Sequence, residues 1–313
     1  MAAPIPVATF ARVRIKVNHE SSEAILVFDI GGSHIASCAF GSSDFSAADA
    51  QHAFVSDSCN CEEFVQTIMQ LGQRSLPLGA RLVGASLATP GPADYVRGIS
   101  YMKHKFQDLH GVVLGPKLAS CLGCSPDRIS FLNDADAFLI GELHQGAAAG
   151  AHRAIGITLG TGIGSAFAVA GQLVVEGTGV PKGGEIWDHP YRGDIVENFI
   201  STASIQRSYE RKTGRHAEVR SIASCAEADQ DARETFEKFG SVLGRILREV
   251  CGVFRSDCIV LGGGIARSAS LFLPAAEREL EGLSIRVCVS KLGDHAPLVG
   301  AGVDWLHKHS SQS

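Results

Sequence analysis

No apolar run in the 313-residue chain reaches the roughly 18 residues that a membrane-spanning helix requires, so no membrane partner is expected. The first residues lack the basic-then-apolar order of a secretory signal. An excess of positive charge is missing as well. Lys and Arg number 28 against 33 Asp and Glu, a formal charge of −5, which removes the electrostatic case for a nucleic-acid partner. Nine cysteines, an odd number without a secretory leader, argue against a disulfide framework and for a reducing, cytoplasmic setting. Cys121 and Cys124 form a lone CxxC. A structural zinc site would need a second pair at ligand spacing, so no zinc site is expected. The Gly-Lys-Ser/Thr ending of a P-loop is absent. A dinucleotide fingerprint is also unsupported, because Gly160–Gly164 leads into an apolar strand and Arg267 replaces a third glycine after Gly262–Gly264.

What is present begins with a repeat. Ile25–Phe40 and Ala154–Val169 each read as an apolar strand, a polar residue, a glycine-rich turn and a second apolar strand. Lined up, Asp29 falls on Thr158, Gly31 on Gly160 and Gly32 on Thr161. Glycines in such a turn let backbone N–H groups approach an anion that a β-carbon would hold off. Two of them suggest a duplicated domain gripping one phosphate chain. The length fits two domains of about 150 residues. The expected division is an arm over 1–24, a small α/β domain over 25–134 plus 296–313, and a large α/β domain over 135–295. Arg12, Arg14 and Lys16 in the arm read as a solvated edge strand.

Between the repeats, periodicity predicts helices over Cys61–Leu71, Val112–Cys121 and Ala135–Ala149, with strands over Arg81–Leu87 and Ile129–Leu132. Beyond the second repeat it predicts helices over Ile195–Thr213, about Cys225–Val253 and Leu298–His307. Strands are predicted over Cys258–Leu261 and Ile285–Ser290. Strands alternating with helices, plus hairpins, indicate α/β layers with mixed sheets.

Four segments could carry chemistry: Asp29-Ile30-Gly31-Gly32-Ser33, Asn133-Asp134-Ala135-Asp136, Thr158–Gly164, and Gly262-Gly263-Gly264. In this order, with Phe131–Glu142 (FLNDADAFLIGE) and Ile157–Gly164 (ITLGTGIG) the most specific, the chain resembles the ROK group of sugar kinases. That group lies within the actin and hexokinase superfamily of ATPases. The resemblance spans Ile25 to Trp305. It implies a duplicated ribonuclease-H-like (actin-like ATPase) fold of two domains with a central cleft, using ATP and Mg²⁺.

By that resemblance Asp134 is the general base on a sugar hydroxyl, and Asn133 bonds a neighbouring hydroxyl. Asp29 lies near the metal through water, since Mg²⁺ keeps much of its hydration shell. The backbones of Gly31, Gly32, Gly160, Thr161 and Gly162, with Ser33 and the Thr158 and Thr161 hydroxyls, hold phosphates. Gly263 and Gly264 belong to the adenosine side. His34 stands where many relatives carry lysine, which puts a fixed positive charge there in doubt.

The resemblance breaks down at the sugar pocket. Relatives carry Gly-Glu-x-Gly-His, a cysteine-rich zinc loop and a glutamate. Here Glu185 and Glu197 match the two glutamates, Asp188 takes the histidine position with His189 one place late, and the zinc cysteines are absent. Packing by Trp187, Pro190 and Tyr191 is expected to replace the metal, with Trp187 as loop core. The expected activity is phosphorylation of a hexose or N-acetylhexosamine, with polyphosphate as an alternative donor. The main rival is a non-catalytic sugar sensor or transcriptional regulator of the same group. Such regulators add a helix-turn-helix module, and only about 24 residues precede the first predicted strand. An actin-like ATPase without a small acceptor is disfavoured by Asn133-Asp134 with Glu185 and Glu197. Relatives often pair, so a homodimer is expected from the resemblance alone.

Overall fold

A computed structural model describes residues 23–41, 50–56, 58–103 and 105–309. The expected arm lies outside the described residues apart from Glu23 and Ala24, which open the first strand. Packing divides the chain into two units. The first holds the described residues up to His144 and those from His295 onward; the second is Gln145–Asp294.

In the first unit the chain runs β1 (Glu23–Ile30), β2 (His34–Gly41), β3 (Gln51–Phe54), α1 (Cys61–Ser75), β4 (Arg81–Thr89), β5 (Ala93–Asp94), β6 (Ile99–Ser100), α2 (Gly115–Leu122), β7 (Ile129–Asn133) and α3 (Asp134–Gln145). One sheet has the order β3-β2-β1-β4-β7, and β5 and β6 form a separate ribbon. The hairpin strands β1, β2 and β3 pair antiparallel, while β4 and β7 add in parallel.

From Ala24 to Phe28 β1 is apolar because both its faces are covered. Leu26, Phe28 and Ile30 pack with Ile68 and Leu71 of α1 and Leu118 of α2. Ile25 and Val27 point the other way, into a cluster with Ala137 of α3. The N-terminus of α1 carries a reciprocal cap: Asn60 accepts from the Glu63 amide and Glu63 accepts from the Asn60 amide.

In the second unit come β8 (Arg153–Leu159), β9 (Ile163–Val169), β10 (Gln172–Leu173), β11 (Pro190–Tyr191), β12 (Asp194–Ile195), α4 (Glu197–Ile200), α5 (Thr202–Thr213), α6 (Val219–Cys225), α7 (Gln230–Phe254), β13 (Cys258–Gly262), α8 (Ala269–Leu280) and β14 (Arg286–Val289). The sheet order is β10-β9-β8-β13-β14, with the same sequence of antiparallel and parallel pairings as the first sheet. The duplication read from the turns therefore extends to topology. The last helix, α9 (Ala296–His309), returns to the first unit. Its Leu298, Ala301 and Trp305 join Ile25, Val27 and Leu132, and the Trp305 indole donates to the Arg128 carbonyl at 2.9 Å.

Three boundaries differ from expectation. The junction between units follows His144 rather than Asp134, because α3 buries Ala137 in the first unit's core with α9. The continuous helix expected over Ile195–Thr213 is broken at Ser201, which is extended (φ −101°, ψ 172°). The long helix expected from about Cys225 starts only at Gln230, because Cys225 ends the separate helix α6. Asp229 caps α7 by accepting from the Asp231 and Ala232 amides at 2.9 and 3.2 Å.

Candidate active site

At the β7–α3 junction, Asn133 ends the strand and Asp134 opens the helix. The cap of α3 is Asn133: its Oδ1 accepts from the amides of Ala135 (2.8 Å) and Asp136 (3.3 Å). Its Nδ2 donates to the Tyr95 hydroxyl at 2.9 Å, a partner that nothing in the sequence pattern singled out. Asp134, half-buried, has Oδ1 2.8 Å from the Ala135 amide. Asp134 thus shares the Ala135 amide with Asn133, and its carboxylate stands at the N-terminus of α3. Asp136 is half-buried one residue further along.

The β1–β2 turn occupies the end of the same sheet. Asp29, half-buried, pairs with Ala36 and Ala88 across β2 and β4. The Gly31 amide donates to the His34 carbonyl at 2.9 Å, and the Ser33 carbonyl accepts from Val55 at 3.0 Å. Among the described residues, nothing accepts from the amides of Gly32 and Ser33. A single carboxylate beside a turn with unspent N–H groups fits Mg²⁺ bound with a phosphate chain, which relies on one or two carboxylates and needs no protein cage. No group of three or more His, Cys, Asp or Glu capable of holding a metal occurs among the described residues.

The β8–β9 turn is tied on several sides. Thr158 pairs with Gly164 and with Gly262 of β13. The Gly160 amide donates to the Gly162 carbonyl (3.1 Å), and the Gly160 carbonyl accepts from the Thr202 amide at the start of α5 (2.8 Å). Glu197 Oε2 accepts from the Ile163 amide at 3.0 Å and lies 2.8 Å from where a β-carbon on Gly162 would stand. Thr161 and Gly162 are exposed. Gly263 has φ +81°, and a β-carbon there would run into the Leu159 backbone, 2.8 Å from its nitrogen. Only glycine lets the β13 end approach the β8 end so closely. Gly264 follows it, exposed, in an ordinary helical conformation (φ −60°).

In the loop bearing Glu185, Ser165 of β9 works as a clamp. Its hydroxyl donates to the Gly184 carbonyl (2.7 Å) and accepts from the Ile186 amide (2.9 Å), fixing the backbone on both sides of Glu185. The Glu185 carboxylate accepts from the Trp187 indole at 3.0 Å. Trp187 is 39% exposed and Pro190 is exposed, so neither forms the loop core; that correction leaves Tyr191 alone of the expected three. Tyr191 meets Phe199 edge-on (5.1 Å, 84°), and Ile186 and Val196 are fully buried. The β11–β12 ribbon completes the brace, with Pro190 opposite Ile195 and Tyr191 opposite Asp194. Hydrogen bonds from Asn198 and the Ile195 amide hold the Asp194 carboxyl below its ordinary range.

Asp188 is exposed and His189 half-exposed. Neither side chain makes a hydrogen bond or ion pair among the described residues. Sequence reasoning missed Ser165, Thr202 and Tyr95. The first two lie directly within or beside segments it had marked, but small hydroxyl residues carry no spacing signal.

Two sheets of identical order, each with a glycine turn after its first strand, define the actin-like ATPase fold that ROK sugar kinases share. The ROK family profile matches residues 25–308, and the chain belongs to the ROK family. A glucokinase from Thermotoga maritima is 29% identical over 246 residues, covering 69% of this chain and 76% of its own. Among solved structures, the ROK hexokinase from Thermus thermophilus superposes with a TM-score of 0.75 at 22% identity, covering 92% and 99% of the two chains. A ROK family glucokinase from Streptomyces griseus, in complex with glucose and AMPPNP, gives 0.71 at 20% identity, over 90% and 98%. A ROK transcriptional regulator, homologous to the E. coli MLC protein, gives 0.74 at 15%, over 90% and 77%.

Proposed function

We propose that the chain is a sugar kinase that transfers the γ-phosphoryl group of Mg·ATP to a hydroxyl of a hexose or N-acetylhexosamine. The observation that carries the reading is the half-buried Asp134 carboxylate at the first position of α3, directly after the Asn133 cap. In this role Asp134 orients the acceptor hydroxyl and takes its proton as the oxygen attacks phosphorus. Backbone N–H groups of Gly32, Ser33, Thr161 and Gly162 are assigned to the phosphates, with the Thr158 and Thr161 hydroxyls. The Gly31 and Gly160 amides, expected to join them, already donate to the His34 and Gly162 carbonyls and shape the two turns. Gly263 and Gly264 are assigned to the adenosine side. When bound, Mg²⁺ near Asp29 spreads the phosphate charge.

Glu185 and Glu197 are assigned to sugar hydroxyls, with Asp188 or His189 in place of the family histidine. The assignment of Asn133 to a sugar hydroxyl must accommodate its existing bonds to α3 and Tyr95. Support for the substrate class comes from the glucokinase relative and from the glucose and AMPPNP held by the Streptomyces griseus structure.

The test is ADP release with Mg·ATP over a panel of hexoses, N-acetylhexosamines and their epimers, repeated with polyphosphate as donor. Sugar-dependent turnover is expected with ATP. If every sugar is inert, while a sugar still raises the melting temperature and the protein shifts specific DNA at physiological salt, the regulator reading replaces this one. Its fold-level neighbour gives that second reading its standing.

A further inference from the structure

The replacement of a lysine by His34 raises the question of what supplies positive charge to the β1–β2 turn. The structure answers from a distant segment. Lys105 Nζ occupies the place that a β-carbon on Gly32 would take, with Cε 3.4 Å and Cδ 3.8 Å from that point. The ammonium therefore rests against the bare face of Gly32.

Its backbone is fixed there. Lys105 lies between β6 and α2 next to Phe106, which is fully buried and in the left-handed conformation (φ 49°, ψ 47°). Non-glycine residues adopt that conformation only where the surroundings impose it. Phe106 packs edge-on against Phe64 of α1 at 5.9 Å, and Met102 is buried on the other side. Among the described residues no carboxylate pairs with Lys105. Around the same turn stand the unspent amides of Gly32 and Ser33, and the His34 ring, whose Cε1 lies 3.2 Å from the β-position of Gly31. An ammonium, two free N–H groups and an imidazole converge on a turn with no β-carbon in the way.

We propose that Lys105 is the phosphoryl-binding cation of the β1–β2 turn, standing in for the lysine that position 34 lacks. It contacts a terminal phosphoryl oxygen as a point charge. The donor as source of that phosphoryl group rests on the kinase reading; the product sugar phosphate is the other source of the same chemistry.

The test measures binding by calorimetry, independently of turnover, with ATP, inorganic tripolyphosphate, adenosine and hexose 6-phosphate as probes. Lys105→Met is expected to weaken ATP and tripolyphosphate about ten-fold or more, the scale of a lost charged hydrogen bond, and to leave adenosine unchanged. Lys105→Arg should stay within about three-fold of wild type, since it keeps the charge. Gly32→Ala, whose added methyl displaces the ammonium, should reproduce the Lys105→Met loss. It should add little to it in the double variant, because both act on one contact. A melting curve matching wild type guards against a folding defect.

Weakening confined to hexose 6-phosphate keeps Lys105 as a phosphoryl ligand and makes the product the source. Tripolyphosphate and hexose 6-phosphate binding within two-fold of wild type in Lys105→Met overturns the proposal. If the wild type turns over sugar and Lys105→Met binds all probes normally, only the lysine assignment falls. If the wild type turns over no sugar but Lys105→Met loses tripolyphosphate, the kinase reading falls and the anion site stands.

Discussion

Between β1 and β2, residues 31–34 carry the chain from Ile30 to its partner Ile35; between β8 and β9, residues 160–162 carry it from Leu159 to Ile163. The longer turn has His34 and Lys105 beside it and two amides that donate to no described residue. The shorter one is braced by the Glu197 carboxylate, the Thr202 amide and the close approach of Gly263. Equal places in duplicated sheets have thus acquired opposite equipment: positive charge on an open turn, and negative charge on a strapped one. Duplication supplies the frame, while the segments inserted after it decide what each turn does.

The comparison can be broken most sharply at the first unit's chemistry. Asp134→Asn should lower kcat by about 10²–10⁴-fold, the usual share of a general base, with nucleotide affinity and melting temperature unchanged. Residual turnover within ten-fold of wild type would remove Asp134 as the base. On the strapped turn the expected cost is stability instead. Gly263→Ala forces a side chain into a positive-φ position against the Leu159 backbone. It should cost about 1–3 kcal/mol in urea unfolding, and a wild-type midpoint would show that the close approach is not a constraint.

Glu197→Ala leaves the Ile163 amide without its acceptor, at about 1–3 kcal/mol. Glu197→Gln, which keeps an oxygen there, should recover most of it, and equal losses in both variants would point away from the hydrogen bond. Smallest of all, Ser33→Ala on the open turn should change stability by less than about 0.5 kcal/mol. A loss above 1 kcal/mol there would erase the distinction between the turns.

Much of this was readable before the structure. The strand–turn–strand repeats stood out because strands covered on both faces have continuous apolar interiors, and glycine marks where they reverse. Asn133-Asp134 was visible through its place between a strand and a helix, although which of the two caps α3 was not. The break at Ser201 was hidden because it is a change of backbone conformation with no side-chain cap to mark it, whereas the late start of α7 is marked by the Asp229 cap. Trp187 was misjudged because a loop tryptophan reads as core, whereas its indole is held at the surface by Glu185. Lys105 had no signal at all. Its meeting with Gly32 depends on the path of an irregular segment some 70 residues away, which no periodicity encodes.

The return of α9 has a consequence for how the protein is made. The sheet begun at Glu23 obtains part of its core from Leu298, Ala301 and Trp305, and Trp305 fastens the Arg128 carbonyl. On the ribosome, where domains fold as they emerge, at about 5–20 residues per second, the sheet translated first must wait for the last helix. The sheet translated second has all of its own strands and helices by Asp294. Synthesis order and completion order are therefore reversed, and the earlier unit spends the interval with an apolar face that nothing has yet covered.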